Sequence, residues 1–333
     1  MMADSLAIRG QQSNLRQQRI KRYVRFLAWR LSSAALVVFL SLTIAFLTIR
    51  FLPGNTLETL LGDTARKFNA EQAAAAIEQL GLNKPFYVQY SDYLYALAHG
   101  DLGVSYYQRA PVSSLILGQI GATIQLAFSA LALAWLISLT FVVLTAGRSA
   151  FLDGSARFIE VVMASIPQFW LGLVLLLTFS IGLHWLPIVS GTSFKGLILP
   201  AITLALPLAG LLSQFTRGAF DENLSQPFIL SSRARGASDL RVRFVHALRH
   251  SITPAVTVTG QSFGSLLGGA LVVEEIFARQ GIGQVIFKAI NSRDLPLVLG
   301  IVIIVALLYV LINLVVDILQ TFIDPRILKS ERS

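Results

Sequence analysis

Runs of mostly apolar residues recur along the chain, at about 31–51, 119–146, 158–182, 196–216, 254–274 and 295–322. Each is long enough to cross the hydrocarbon of a bilayer as an α-helix, which takes roughly 20 residues. The pattern predicts an all-α integral membrane protein with six transmembrane helices. Pro167 interrupts the third run, and Pro200 and Pro207 the fourth. Kinks are expected there, because the ring removes a backbone donor and crowds the preceding turn. The fifth run is the least hydrophobic, and Gly260, Gly264 and Gly268 recur through it every fourth residue. Such a stripe lets helices approach closely, either inside the subunit or against a neighbouring chain.

The polar segments between the runs divide the remainder. Residues 1–30 precede the first span, 52–118 and 217–253 are the long connections, and 323–333 form a tail. Within 52–118 the pattern predicts two short helices split by Gly81–Pro85, with Asn69 as the N-cap of the first and Ala73–Ile77 propagating it. The piece is too small for a core of its own and is expected to pack on the mouth of the membrane domain. Residues 225–250 predict two further helices outside the membrane. Ser225 is read as an N-cap with Pro227 near the first turn, and Gly236 ends that helix. Ser238 caps the second helix, with Asp239 beside the positive end of its dipole. Phe244, Val245 and Leu248 share one face of it, with Arg241 and Arg249 elsewhere, and Pro254 marks re-entry into the bilayer. A rigid helix–glycine–helix between two spans is suited to receive a push from a soluble partner. The plainer alternative is a loop whose charges merely orient the chain.

Composition narrows the class. Hydrophobic residues make up 54% of the chain and charged residues 14%, against about 25% charged in a soluble domain. There is no cysteine, which excludes a disulfide framework and a thiolate metal site. The net charge of +9 does not point to nucleic acid, because the lysines and arginines lie at the ends of apolar runs. They cluster before the first span (Arg9, Arg16, Arg19, Lys21, Arg22, Arg25, Arg30), between the fourth and fifth (Arg217, Arg233, Arg235, Arg241, Arg243, Arg249), and in the tail (Arg326, Lys329, Arg332). Cytoplasmic loops carry such an excess. Both termini and 217–253 are therefore expected in the cytoplasm, and 52–118 outside. The first run is too long for the core of a signal peptide and no small-residue cleavage site follows, so it is read as a retained span.

No G-x-x-x-x-G-K-[ST] motif occurs, so the chain has no phosphate cradle for ATP and is not expected to be an enzyme. A series of short motifs then carries a resemblance by its order and spacing. These are "LPGN" (52–55), "LGLNKPFYVQY" (80–90), "HGDLGVS" (99–105), "SIPQFW" (165–170), "RGASDLRVRFVHALRHSITP" (235–254), "EEIFARQGIG" (274–283), "RDLP" (293–296), "NLVVDIL" (313–319) and "DPRI" (324–327). From about residue 22 to 328 the chain resembles the dipeptide/oligopeptide/nickel permeases of ABC transporters, in the first-permease branch (DppB, OppB and NikB type). Residues 225–254 resemble their cytoplasmic coupling loop. Phe228 stands where that family usually has tyrosine, Ser232 where it has alanine, and Gln280 where it has the proline of a P-G-x-G turn.

The resemblance implies a type I importer permease fold with an external helical insertion between the first two spans. It implies a permease subunit of an ATP-driven importer in the bacterial inner membrane, working by alternating access. The implied partners are a second homologous permease, two ABC ATPase subunits that bind ATP and Mg, and an extracytoplasmic solute-binding protein, with no cofactor or metal in this chain. Solutes in the family include dipeptides, oligopeptides, nickel, metal chelates and glutathione. The implied ATPase-coupling residues are Phe228, Ser231, Ser232, Ala234, Gly236, Asp239, Arg241, His246 and Arg249. Candidates for the translocation path or for helix packing are Pro167, Gly260, Gly264, Gly268, Glu274 and Asp317. The rivals are an ion-coupled secondary transporter, which needs a carboxylate at mid-membrane, and a membrane scaffold.

Individual side chains have two readings each. His246 and His250, four residues apart, could hold a metal ion, but Arg249 lies beside them and no carboxylate joins them, so contact with a partner or plain solvation is preferred. His99 is expected to make a structural hydrogen bond. Glu160 is expected at the interface or paired with Arg157. Glu274 and Glu275 are expected to pair with Arg279 and Arg293, with a cationic substrate as the alternative. Asp317, one turn beyond Asn313, either lines the path or bonds to a neighbouring helix.

Overall fold

A computed structural model describes residues 83–191 and 193–323, together with 32–33, 35–48, 75 and 78, with side chains described as far as Val316. The expectations for residues 1–30, for the helix starting at Asn69 and for the tail lie outside the described residues, as does the Asp317 side chain. Among the described residues all regular structure is helical, apart from an isolated bridge between Val104 and Pro111.

The order begins with α1 (Ala35–Thr48) and α2 (Phe86–Ala98), followed by α3 (Val112–Thr145) and α4 (Ala150–Ser165). Helix α5 (Gln168–Leu175) continues through a π-helical stretch, Leu176–Gly182. After it come α6 (Phe194–Leu224) and α7 (Pro227–Ala234). Helix α8 is composite, running from Asp239–Arg241 through a π-helical turn, Val242–Ala247, into Leu248–Ser251. Helices α9 (Thr253–Ile276), α10 (Ile282–Asn291) and α11 (Leu295–Ile323) complete the chain.

Helices α3, α6, α9 and α11 are each long and apolar enough to cross a membrane, and α4 with α5 makes a fifth if the bent pair is one span. The described part of the first expected span, α1, is a shorter apolar helix. The third apolar run does bend at Pro167, and sharply. It is two helices at 98° that break at Ile166–Pro167, and the first of them starts at Ala150 rather than at 158. Proline at 167 sits before the first turn of α5, where its missing donor costs nothing. Pro200 and Pro207, by contrast, lie inside α6 without interrupting it. That helix is the most enclosed of the long ones.

The core forms where α3, α6 and α9 meet. Leu126, Ala127, Ala130 and Ala134 of α3 repeat at helical spacing against Leu204, Ala205, Leu208 and Leu212 of α6, and Phe263, Leu267 and Ala270 of α9 close the group. Other α3 side chains, among them Phe128, Leu136 and Leu144, are exposed. A helix apolar on every side yet half uncovered fits a lipid surround. Two smaller clusters cap the ends. Val112, Ile116, Ile282 and Leu297 join α3, α10 and α11, and Val142, Val143, Phe220, Ile229, Val242 and Ala247 join the far ends of α3 and α6 to α7 and α8.

Candidate functional site

The site is built from α7 and α8, which fold against the far ends of α3 and α6. Gln226, not Ser225, is the N-cap of α7, and the Ser225 hydroxyl instead bonds to Glu222 O at the end of α6. Pro227 opens α7, Gly236 follows its C-cap with φ +83, and the Ser238 hydroxyl accepts from Arg241 N at 3.4 Å to start α8. The amides of Gly236 and Ala237 return to Arg233 O and Ser232 O, which satisfies carbonyls at the end of α7. A Cβ added at Gly236 would meet nothing within 4 Å. Its left-handed backbone, not lack of room, is what calls for glycine.

The two helices fasten to each other through Phe228 over His250, with ring centroids 5.1 Å apart. Asp239 is a hub, within ion-pair distance of Arg243 (2.9 Å), Arg233 (3.5 Å) and Arg148 (3.8 Å). The apolar face predicted for α8 does not stay together: Phe244 and Val245 are exposed while Leu248 packs inward. The π-helical turn rotates Val242, Arg243 and Ala247 to the inside instead. The outer surface therefore carries Leu230 (73% exposed), Leu240, Phe244 and Val245, with Arg233, Arg235, Arg241 and Arg249 also exposed. Apolar side chains interspersed with cations on a surface turned away from the core suit contact with another protein. Of the other expected coupling residues, Ser231 and Ala234 are exposed, His246 is half-buried, and Ser232 is buried. Among the described residues no three His, Asp or Glu side chains gather to hold a metal ion.

Two arginines counted in the sequence as orienting charges are structural. Arg217 is 1% exposed. Its Nε donates to both Glu160 oxygens at 2.8 and 3.0 Å, Nη1 to Asp153 at 2.9 Å and Nη2 to Thr145 Oγ1 at 2.6 Å. The expected Glu160–Arg157 pair is replaced by Glu160–Arg217, and Arg157 turns to Asp153 and Asp221. Gly210 makes this possible, since a Cβ there would lie 2.7 Å from Glu160 O and hold α4 and α6 apart. Asp153, Arg157 and Glu160, spaced by four and three residues, lie on one helical face, and that spacing was the available signal for a partner on another helix. Arg243, 4% exposed, ends on the carbonyls of Val143 and Ala146.

The path candidates separate. Gly260 and Gly264 face α11 of the same chain, where an added Cβ would lie 2.6 Å from Val316 and 2.8 Å from Tyr309. Close packing within one subunit accounts for both. Gly268 looks into open space, on the same exposed face of α9 as Gln261, Ser265 and Glu275. Gly264→Leu is accordingly expected to destabilise the isolated chain by about 1–3 kcal/mol. Thermal unfolding in detergent checks this, and an unchanged midpoint would show that Tyr309 swings clear.

Pro167 is exposed at the α4–α5 break. Glu274 is fully buried, so it is not at an open mouth; its Oε2 accepts from Gly283 N at 2.7 Å. A Cβ at Gly281 would collide with that carboxylate. The turn closes over Glu274 in this way with Gln280 exposed in place of a proline. The Arg279 guanidinium reaches Gln125 Oε1 (2.8 Å) and Gly191 O (3.2 Å) rather than pairing with Glu274. His99 bonds through Nδ1 to Tyr95 O at 2.8 Å, as expected. Asn313 donates to Tyr309 O within its own helix. Asp294, not singled out in the sequence, is fully buried and receives the Ser105 hydroxyl and the Tyr106 and Tyr107 amides, which ties the 105–107 loop to the start of α11.

With this geometry in place, comparison with known proteins is specific. Residues 138–329 match the family described as binding-protein-dependent transport system inner membrane component, and residues 23–127 match the N-terminal membrane component of such systems. The chain is 37% identical over 314 residues to the dipeptide transport system permease protein DppB of Alkalihalophilus pseudofirmus, covering 85% of this chain and 93% of that protein. It is 36% identical to a probable peptide ABC transporter permease protein, y4tP, of Sinorhizobium fredii, covering 85% and 92%. It is 35% identical to the glutathione transport system permease protein GsiC of Salmonella choleraesuis, again covering 85% and 92%.

Proposed function

This chain belongs to the family of inner membrane components of binding-protein-dependent transport systems, and we propose that it is one permease subunit of an ATP-driven importer for peptides or peptide-like solutes, metal chelates included. The observation that carries the reading is the outer face of α7 and α8. Leu230, Leu240, Phe244 and Val245 stand out from the membrane helices among four arginines, on a pair of helices fixed between α6 and α9. An ATPase subunit, which would bind ATP and Mg, docks there. ATP-driven closure of two such subunits pushes the loops of a permease pair and alternates access. The names of the relatives favour a peptide-like solute, delivered by an extracytoplasmic binding protein. The exposed face of α9 with Gln261, Ser265, Gly268 and Glu275 supports a polar path beside the second permease. The arginine clusters support cytoplasmic termini.

Isolation of the tagged chain from native membranes tests the proposal. ATPase subunits and a second permease are expected to co-isolate, and to remain through gentle detergent exchange. A chain that comes out without any ATPase, while still transporting a peptide under an ion gradient, would instead establish the ion-coupled alternative.

A further inference from the structure

Two deeply buried arginines end at the C-terminal turn of α3. Arg217 arrives from α6, with Nη2 on Thr145 Oγ1 at 2.6 Å. Arg243 arrives from α8, with Nη1 donating to Val143 O at 3.2 Å and to Ala146 O at 2.6 Å. The last carbonyls of a helix lack partners within it and carry the negative end of its dipole. A guanidinium on two of them makes charge-assisted hydrogen bonds. The surroundings are dry, since Val142, Val143 and Ala146 are fully buried. Arg243 is held at its root by Asp239, whose Oδ2 accepts from Nε at 2.9 Å. It projects from the π-helical turn Val242–Ala247, a wide turn of the kind that recurs at functional positions.

The backbone ties α7 and α8 to α6 through Ser225 and Gln226, and to α9 through Ile252, but not directly to α3. The end of α3 also meets α7 and α8 through the apolar cluster of Val142, Val143, Ile229, Val242 and Ala247. We propose that Arg243 is the positioning residue that locks this contact, so that a partner displacing α7 and α8 moves α3 together with α6 and α9 instead of sliding past it. Through Thr145, Arg217 then carries the displacement to Asp153 and Glu160 on α4. The proposal rests on the importer reading and adds how the load is divided among the spans. Arg243→Met fills similar space but leaves the Val143 and Ala146 carbonyls unpaired. Arg243→Lys keeps a cation that can reach one of them.

The test uses the assembled complex of both permeases, the ATPases and the binding protein. Hydrogen exchange of residues 142–147 is compared without nucleotide and after trapping with ATP and vanadate. In the parent, nucleotide is expected to change exchange at 142–147 by at least about fivefold, the lower end of ordinary coupling between sites. In Arg243→Met that response disappears at 142–147 but persists at 227–251, and Arg243→Lys restores part of it. Loss of a merely structural contact would shift the resting exchange and leave the nucleotide response in place. An undiminished response in Arg243→Met overturns the proposal, as does a parent in which 142–147 ignore nucleotide while 227–251 respond. If Arg243→Met fails to assemble, Arg243→Lys is compared with the parent, and an equal response overturns it likewise. A parent that retains no ATPase would count against the importer reading itself, a distinct outcome.

Discussion

Arg217→Met is expected to destabilise the isolated chain by about 3 kcal/mol or more, because removing one partner of a buried ion pair leaves the other charge uncompensated. The geometry concentrates the loss. Glu160 is as deeply buried as Arg217, and both its oxygens accept from that guanidinium. Asp153 and Thr145 accept from the remaining nitrogens. Without Arg217, the carboxylates of Asp153, Glu160 and Asp221 would be left with Arg157, which already serves Asp153 and Asp221. The double variant Glu160→Gln with Arg217→Met is expected to recover part of the loss, since paired replacement of buried charges costs less than orphaning one. Thermal unfolding of the purified chain in detergent measures both. A single variant as stable as the parent, or a double variant no better than the single, would mean that the network contributes little.

That network also shows how far the sequence could be read. Hydrophobic runs locate long helices well, because every residue of a span must be apolar whichever way it faces. The α3, α6, α9 and α11 helices were legible for that reason. The same redundancy hides which side of a helix meets its neighbour, so the α3–α6–α9 core could not be read beforehand. The 98° break at Ile166–Pro167 was legible as a proline but not as an angle, since the angle depends on what Gln168 and Gly172 meet on α6 and α9. Arg217 and Arg243 were counted with the solvated arginines because a charge count carries no direction. Only the approach of α4 to Gly210, and of α8 to the end of α3, makes them internal. Gly236 was the opposite case. A glycine two residues beyond a helix, with a serine N-cap two residues further on, specifies its own conformation locally, and no tertiary contact is needed to predict it.

Gly236 accordingly supports the prediction with the largest expected effect on transport. Its φ of +83 is a conformation in which a side chain costs about 1–2 kcal/mol. Because nothing lies within 4 Å of an added Cβ, that cost does not come from collision with this chain. It reports the turn that sets α8 at its angle to α7. Substitution by a residue that tolerates left-handed backbone should therefore be milder than substitution by one that does not. Gly236→Asn is expected to keep most ATPase association. Gly236→Val is expected to lose it, because a β-branched residue abandons the left-handed turn and swings α8 with Phe244 and Val245 out of register with Leu230. Gly236→Asp adds a negative charge among Arg233, Arg235 and Arg241, and is expected to lose association even where its backbone is accommodated. Arg241→Glu and Arg249→Glu should weaken docking less, since charges at the rim mainly tune association rates. Gly236→Asn, Gly236→Asp, Arg241→Glu and Arg249→Glu should insert and unfold like the parent to within about 1–2 kcal/mol, because these positions are exposed. Gly236→Val should insert but unfold somewhat earlier, since swinging α8 also loosens Val242 and Ala247 from the apolar cluster. Co-purification of the ATPase, alongside ATP hydrolysis, decides the matter. If Gly236→Val and Gly236→Asp both retain the ATPase at the parent level, α7 and α8 are not the docking element, and the proposed route from ATP to the membrane helices fails.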